Sequence, residues 1–108
     1  MSNTNPSNTI PRVNPGMTLL GGPTVVSVTT GGSTNTLASL LGGALALGLK
    51  RLKLLPAASG VYFAAGTASA SSAPLPAGVW TVLDIRKAEA DTLKFYASTV
   101  NMTVIQEG

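Results

Sequence analysis

The sequence predicts an all-β domain, a small sandwich or barrel, preceded by an extended N-terminal arm and carrying one short helix. Three observations point there. Short aliphatic, β-branched or alternating runs recur at intervals of roughly 8 to 12 residues, with glycine or proline turn signals between them. Ser, Thr and Asn supply most of the polarity, a composition that suits sheets and turns. Only one stretch of the 108 residues, from Leu37 to Leu49, follows a helical template.

Residues 1–16, MSNTNPSNTIPRVNPG, hold almost nothing to bury, so they do not offset their own ordering entropy and are expected to form an arm outside the domain of residues 17–108. Fully stretched, they would reach about 50 Å at ~3.3 Å per residue, far enough to lie along a neighbouring subunit. They lack the basic start and apolar centre of a secretory signal.

Met17 to Leu20 and Thr24 to Thr29 read as two strands joined by a tight connection at Gly21-Gly22-Pro23. After a loop from Gly31 to Asn35, leucines 37, 40, 41 and 45 match one buried helical face, with Thr36 able to cap it. The pair Gly42-Gly43 opposes continuation, each glycine costing about 1 kcal/mol relative to alanine, so the helix is expected over Leu37 to Leu41. The apolar stretch is about a dozen residues long and ends at Lys50. That falls short of the ~18 to 20 residues of a membrane span.

From Leu49 the period changes to two: Leu52 and Leu54 alternate with Arg51 and Lys53, and Pro56 closes the strand. Val61 to Ala64 is a further strand, followed by a Ser/Ala tract and the turn Pro74-Leu75-Pro76-Ala77-Gly78. Val79 to Ile85 reads as a strand covered on both faces, and Arg86 to Asp91 as a charged loop or single helical turn. Leu93, Phe95 and Ala97 alternate with polar neighbours, and a last strand runs from Met102 to Gln106. Trp80 and Phe95 are expected to anchor the core, with an interface role as the alternative.

Composition argues against chemistry. The chain has no histidine and no cysteine, and its only acids are Asp84, Glu89, Asp91 and Glu107. Asp84, Glu89 and Asp91 would serve as a carboxylate pair only if held ~5 to 9.5 Å apart. Arg86 and Lys87 lie among them, which suits a self-compensating turn, and the spacing lacks the glycine of an EF-hand calcium loop. Serine without histidine needs lysine or an unusual base to become nucleophilic, and no G-x-S-x-G elbow occurs. The glycine pairs match no phosphate-binding fingerprint. No enzyme activity, cofactor, metal or small-molecule substrate is therefore expected.

Charged residues make up 10% of the chain, well below the ~25% usual for soluble domains. So few charges must keep much surface wet, and self-association or a permanent partner is expected. The net charge is +3 and the densest basic group is Lys50, Arg51 and Lys53. Three bases neutralise only about three phosphates, so nucleic acid is an unlikely partner. They suit the outer face of a strand, or a meeting with Asp84, Glu89 and Asp91 of a second copy.

The run Gly60-Val-Tyr-Phe-Ala-Ala-Gly66, the tract Ala68-Ser-Ala-Ser-Ser-Ala73, the turn Pro74 to Gly78, and the closing segments Thr92 to Ala97 and Met102 to Gln106 resemble small virion structural proteins of tailed bacteriophages. The likeness covers residues 49–108. It implies a jelly-roll-like β-sandwich closing in a last hairpin, with no catalytic residues. It also implies a capsid cement or decoration protein on the virion surface, assembled in the host cytoplasm and bridging major capsid subunits as a dimer or trimer. The expected interface comprises Ile10, Arg12 and Val13 of the arm with Lys50, Arg51, Lys53, Asp84, Arg86 and Glu89. The alternatives are a tail, neck or fibre-associated virion protein, and a carbohydrate- or receptor-binding module using the Ala65 to Gly78 loop.

Overall fold

Alternation of apolar and polar side chains decides which face of each strand turns inward. The computed structural model describes residues 17–108; the arm expected over 1–16, with Ile10, Arg12 and Val13, lies outside the described residues. Its elements are β1 (Thr24–Val28), α1 (Leu37–Leu41), β2 (Arg51–Pro56), β3 (Val61–Ala65), β4 (Ala73–Leu75), β5 (Thr81–Leu83), α2 (Lys87–Ala90), β6 (Leu93–Tyr96) and β7 (Val100–Glu107). The strands form two antiparallel sheets, one in the order β1-β7-β2-β5 and the other β4-β3-β6. The described residues are all-β apart from two short helices.

The inner faces of both sheets meet in one hydrophobic cluster. Leu52 and Leu54 from β2, Val26 and Val28 from β1, and Met102 and Val104 from β7 join Val61, Leu75, Leu93 and Phe95 of the other sheet. Burying each large side chain is worth about 1.5–3 kcal/mol, an upper bound set by the extended-chain reference. In β2 the period of two is legible as buried Leu52, Leu54 and Pro56 alternating with half-exposed Arg51, Lys53 and Leu55.

α1 follows the sequence expectation residue for residue. The Thr36 hydroxyl accepts a hydrogen bond from Ser39 N at 3.1 Å, and Gly42 ends the helix in the left-handed region at φ 77°. That termination leaves Leu45 outside the helix, yet still buried in the core. A second helical turn, α2, places Ala90 in the interior. One helix was expected, and the alternative of a helical turn at Arg86 to Asp91 accounts for the second.

Three strand expectations need correction. Met17 to Leu20 does not fold back on β1. Leu19 bridges Glu107, and Thr18 and Gly108 exchange backbone hydrogen bonds of 2.7 and 2.9 Å, so this segment runs along β7 in line with β1. Between Leu19↔Glu107 and Thr24↔Val104 the first strand advances five residues and β7 three, and Gly21 at φ 93° absorbs the excess. The Pro74-to-Gly78 motif begins as strand, because Pro74 and Leu75 pair with Tyr62 and Val61, and it turns only at Ala77-Gly78. The closing segments form no hairpin: β6 and β7 belong to different sheets. After Tyr96 the chain pairs with the loop beyond β1, Ala97 N donating to Thr29 O at 3.0 Å, and it crosses to the other sheet past Thr99 at φ 61°.

Asn35 pins that crossing. It is buried, and its side-chain amide donates to Thr29 O at 2.9 Å and Phe95 O at 3.2 Å while its backbone carbonyl accepts from Phe95 N at 3.0 Å. Nearby, Gly32 lies against the Ser/Ala tract so closely that a Cβ there would overlap the carbonyl oxygen of Ala68.

Candidate protein-docking face

The outer face of the four-stranded sheet collects the surface features of interest, because the register of β2, β5 and β7 stacks their outward residues in rows. Lys53 lies opposite both Val82 and Ile105, which makes a central row of one base between two aliphatic side chains. Leu55, Thr103 and Val25 form a second row across β2, β7 and β1. Arg51 lies opposite Glu107, and Asp84, one residue past the end of β5, completes a charged row.

Trp80, Val82, Lys53 and Ile105 line an open groove of about 410 Å³. Trp80 is 44% exposed and Val82 49%, with Val79 at 52% beside them. The expectation of a strand covered on both faces is thus overturned for Val79 to Ile85, and so is Trp80 as a core anchor. The physical reason is position. Among the described residues β5 is an edge strand, with β2 on one side only. Phe95, by contrast, is fully buried and stacks on Phe63 with ring centroids 6.3 Å apart.

The ladder of β5 spans three residues, but its flanks also follow β2: Gly78 N donates to Pro56 O at 3.0 Å and Ile85 N to Lys50 O at 3.1 Å. The far edge of Val79 to Leu83 carries neither charge nor proline. Natural edge strands usually carry such residues to discourage pairing with foreign strands.

Of the charges expected to meet between copies, Arg51, Lys53, Asp84 and Asp91 form ion pairs within one chain. Arg51 Nε contacts Asp84 Oδ1 at 2.8 Å, Lys53 Nζ contacts Glu107 Oε2 at 3.1 Å, and Lys87 pairs with Asp91 at 2.8 Å. Asp84 keeps 73% of its side chain exposed, so its pair with Arg51 is worth about 0–1 kcal/mol. Glu107 is only 12% exposed, and its Oε1 is buried without a hydrogen-bond partner. Removal of Lys53 would leave a largely buried carboxylate, a costlier loss than a surface pair.

Arg51 and Asp84 therefore meet at one margin of the sheet and Lys53 lies in the next row of the same face, whereas Lys50 precedes β2 and falls out of phase with them. Arg86 and Glu89 do not join them: Arg86 occupies the N-cap position of α2 without a side-chain capping bond and Glu89 lies on the helix, both exposed, where the chain leaves for the other sheet. From the sequence, Trp80 takes an interface role only as the alternative to the core, and Val82, Ile105 and Leu55 are not singled out. The signal available for β5 was the uncharged run Val79 to Leu83, which reads equally as a buried strand. Among the described residues no group of three or more acids, histidines or cysteines is arranged to hold a metal, and no helix is long and apolar enough to cross a membrane. Compared with protein-family models, curated proteins and solved structures, the chain matches none of them.

Proposed function

We propose that this chain is a bacteriophage virion structural protein, a cement or decoration protein with a jelly-roll-like sandwich that bridges major capsid subunits on the head surface. The observation that carries the reading is the outer face of the β1-β7-β2-β5 sheet, where Trp80, Val82 and Ile105 form an apolar groove beside an uncharged edge strand. Such a surface is a docking device, since aromatic and aliphatic anchors in a groove supply most of the energy of an interface. Charge does little there, because the nearby ions already compensate one another within the chain.

A lattice repeats the same joint many times, and two or three linked copies gain avidity from effective concentration without a strong single contact. The arm adds a second grip in this reading, by pairing with an exposed edge of a neighbouring subunit. The experiment is occupancy on purified particles. Trp80→Asp with Val82→Asp, and separately deletion of residues 1–16, are expected to leave a folded domain and to lower the copies retained per particle. Unchanged occupancy in both would reject the reading. Copies arranged as a ring or spike would instead assign the chain to a tail, neck or fibre.

One separate observation favours a carbohydrate- or receptor-binding module. On the second sheet Pro74, Tyr62 and Tyr96 are register partners in one row, the two tyrosine rings 6.4 Å apart, beside the serine-rich loop after β3. Half-buried tyrosines with free polar ends suit a sugar-binding surface. Binding to a glycan array that Tyr62→Ala abolishes would favour this module over the cement reading.

A further inference from the structure

Among the described residues β5 has no strand on its far side, and its register with β2 fixes what that side presents. Ile85 N donates to Lys50 O at 3.1 Å, in the same register as Leu83↔Leu52 and Thr81↔Leu54. Hydrogen-bonded pairs alternate along an antiparallel ladder, so Thr81, Leu83 and Ile85 direct their backbone groups to β2 while Val82 turns its N–H and C=O outward.

The side chains of this strand are symmetric in kind about Thr81. The run Val79-Trp80-Thr81-Val82-Leu83 reads aliphatic, outer apolar, threonine, outer apolar, aliphatic from either end. Laid antiparallel to a second copy with Thr81 opposite Thr81, it sets Trp80 against Val82 twice on the outer face and Val79 against Leu83 on the inner. Aromatic with β-branched and Thr with Thr are both favourable cross-strand pairs. In this register Val82 falls in a hydrogen-bonded pair, as its outward groups require, and Thr81 in a non-hydrogen-bonded one. Asp84 falls opposite Gly78, so the acids of the two copies lie at opposite ends and do not repel. A centre at Val82 would instead set Asp84 against Trp80. The other edge of the sheet lacks this pattern: about Val26 of β1 the outward neighbours are Val25 and Ser27, an aliphatic residue against a hydroxyl.

We propose that the chain forms a two-fold dimer by antiparallel pairing of β5 with β5 of a second copy, centred on Thr81. Two four-stranded sheets then become one of eight strands, with β5 beside β5 at its middle. The two-fold axis stands perpendicular to the sheet, so both outer faces look the same way. The row Ile105-Lys53-Val82 of one copy continues into Trp80 of the other. Such a contact closes on itself, and it removes an uncharged edge from foreign strands. The pairing is a property of the free protein and does not rest on the cement reading.

Val82 offers its N–H to the second copy and not to β2, so Val82→Pro removes that bond and spares the ladder within the chain. The full-length parent is expected to sediment as a dimer at about 0.1 mM, and Val82→Pro to weaken association at least about tenfold with an unchanged far-UV spectrum. A parent that is monomeric at that concentration, or a folded Val82→Pro variant that associates as tightly as the parent, overturns the proposal. A second measurement does not depend on that variant. The chain has no cysteine, so Thr81→Cys introduces a single thiol. Across a non-hydrogen-bonded pair the Cα atoms lie about 4.5 Å apart, within disulfide reach. Mild oxidation of Thr81→Cys is expected to give a reducible dimer, whereas Ser27→Cys, exposed on the β1 edge, stays monomeric. No dimer from Thr81→Cys, or equal cross-linking of Ser27→Cys, overturns the pairing.

Discussion

Trp80 and Phe95 show how far a single residue type can mislead. Both are large aromatics in apolar runs, and both read as core anchors, yet Phe95 is fully buried while Trp80 is 44% exposed. Phe95→Ala is expected to cost about 3–5 kcal/mol in urea unfolding, whereas Trp80→Ala should cost about 1–2 kcal/mol for its partial burial. Equal losses would contradict the placement of Trp80 on the surface. Asn35 gives the opposite case, a polar residue read as loop that proves buried. Its amide holds Thr29 O and Phe95 O, so Asn35→Ala should destabilise by about 1–3 kcal/mol by leaving buried carbonyls unpaired; a neutral result would show that water replaces the amide. Nothing near Asn35 in sequence announces this role, because its partner Phe95 lies 60 positions away.

Elements were legible where the deciding signals are local. The cap at Thr36, the leucines of α1 and the terminating Gly42 all lie within seven residues, and the helix forms at the expected bounds. Thr36→Ala is expected to lower stability by about 1 kcal/mol through loss of the cap, and Gly42→Ala by about 1–2 kcal/mol because φ 77° strains any residue with a Cβ. Thermal unfolding of the two variants checks both; no change in either would mean that the core alone holds the turn. The alternation in β2 was equally plain, since leucine and base differ sharply in transfer energy. Strand order was not legible. Whether Val79 to Leu83 lies at an edge or between two strands depends on residues far away in sequence, and so does the separation of β6 from β7 into different sheets. Of the candidate interface, the charged margin was found by composition. The apolar groove was missed, because exposure follows from what fails to cover a strand.

At the scale of the whole molecule, two antiparallel sheets enclose one core and leave one broad face with an apolar groove, an internally compensated margin of charge and an uncharged edge. The wide Ser/Thr/Asn surface and the low charge of the chain suit a subunit that remains in contact with others. Association through this face should bury apolar area and respond weakly to salt, whereas a phosphate-binding surface would weaken steeply as salt rises. Retention on particles in 50 mM and 500 mM salt distinguishes the two. The central claim, that the chain works by docking this face into a joint of a phage head, is tested most directly by a cryo-EM reconstruction of the particle that carries it. The account predicts copies over the joints between major capsid subunits, with Trp80, Val82 and Ile105 covered by a neighbour. Copies whose Trp80 groove faces solvent, or density confined to another assembly, would contradict it.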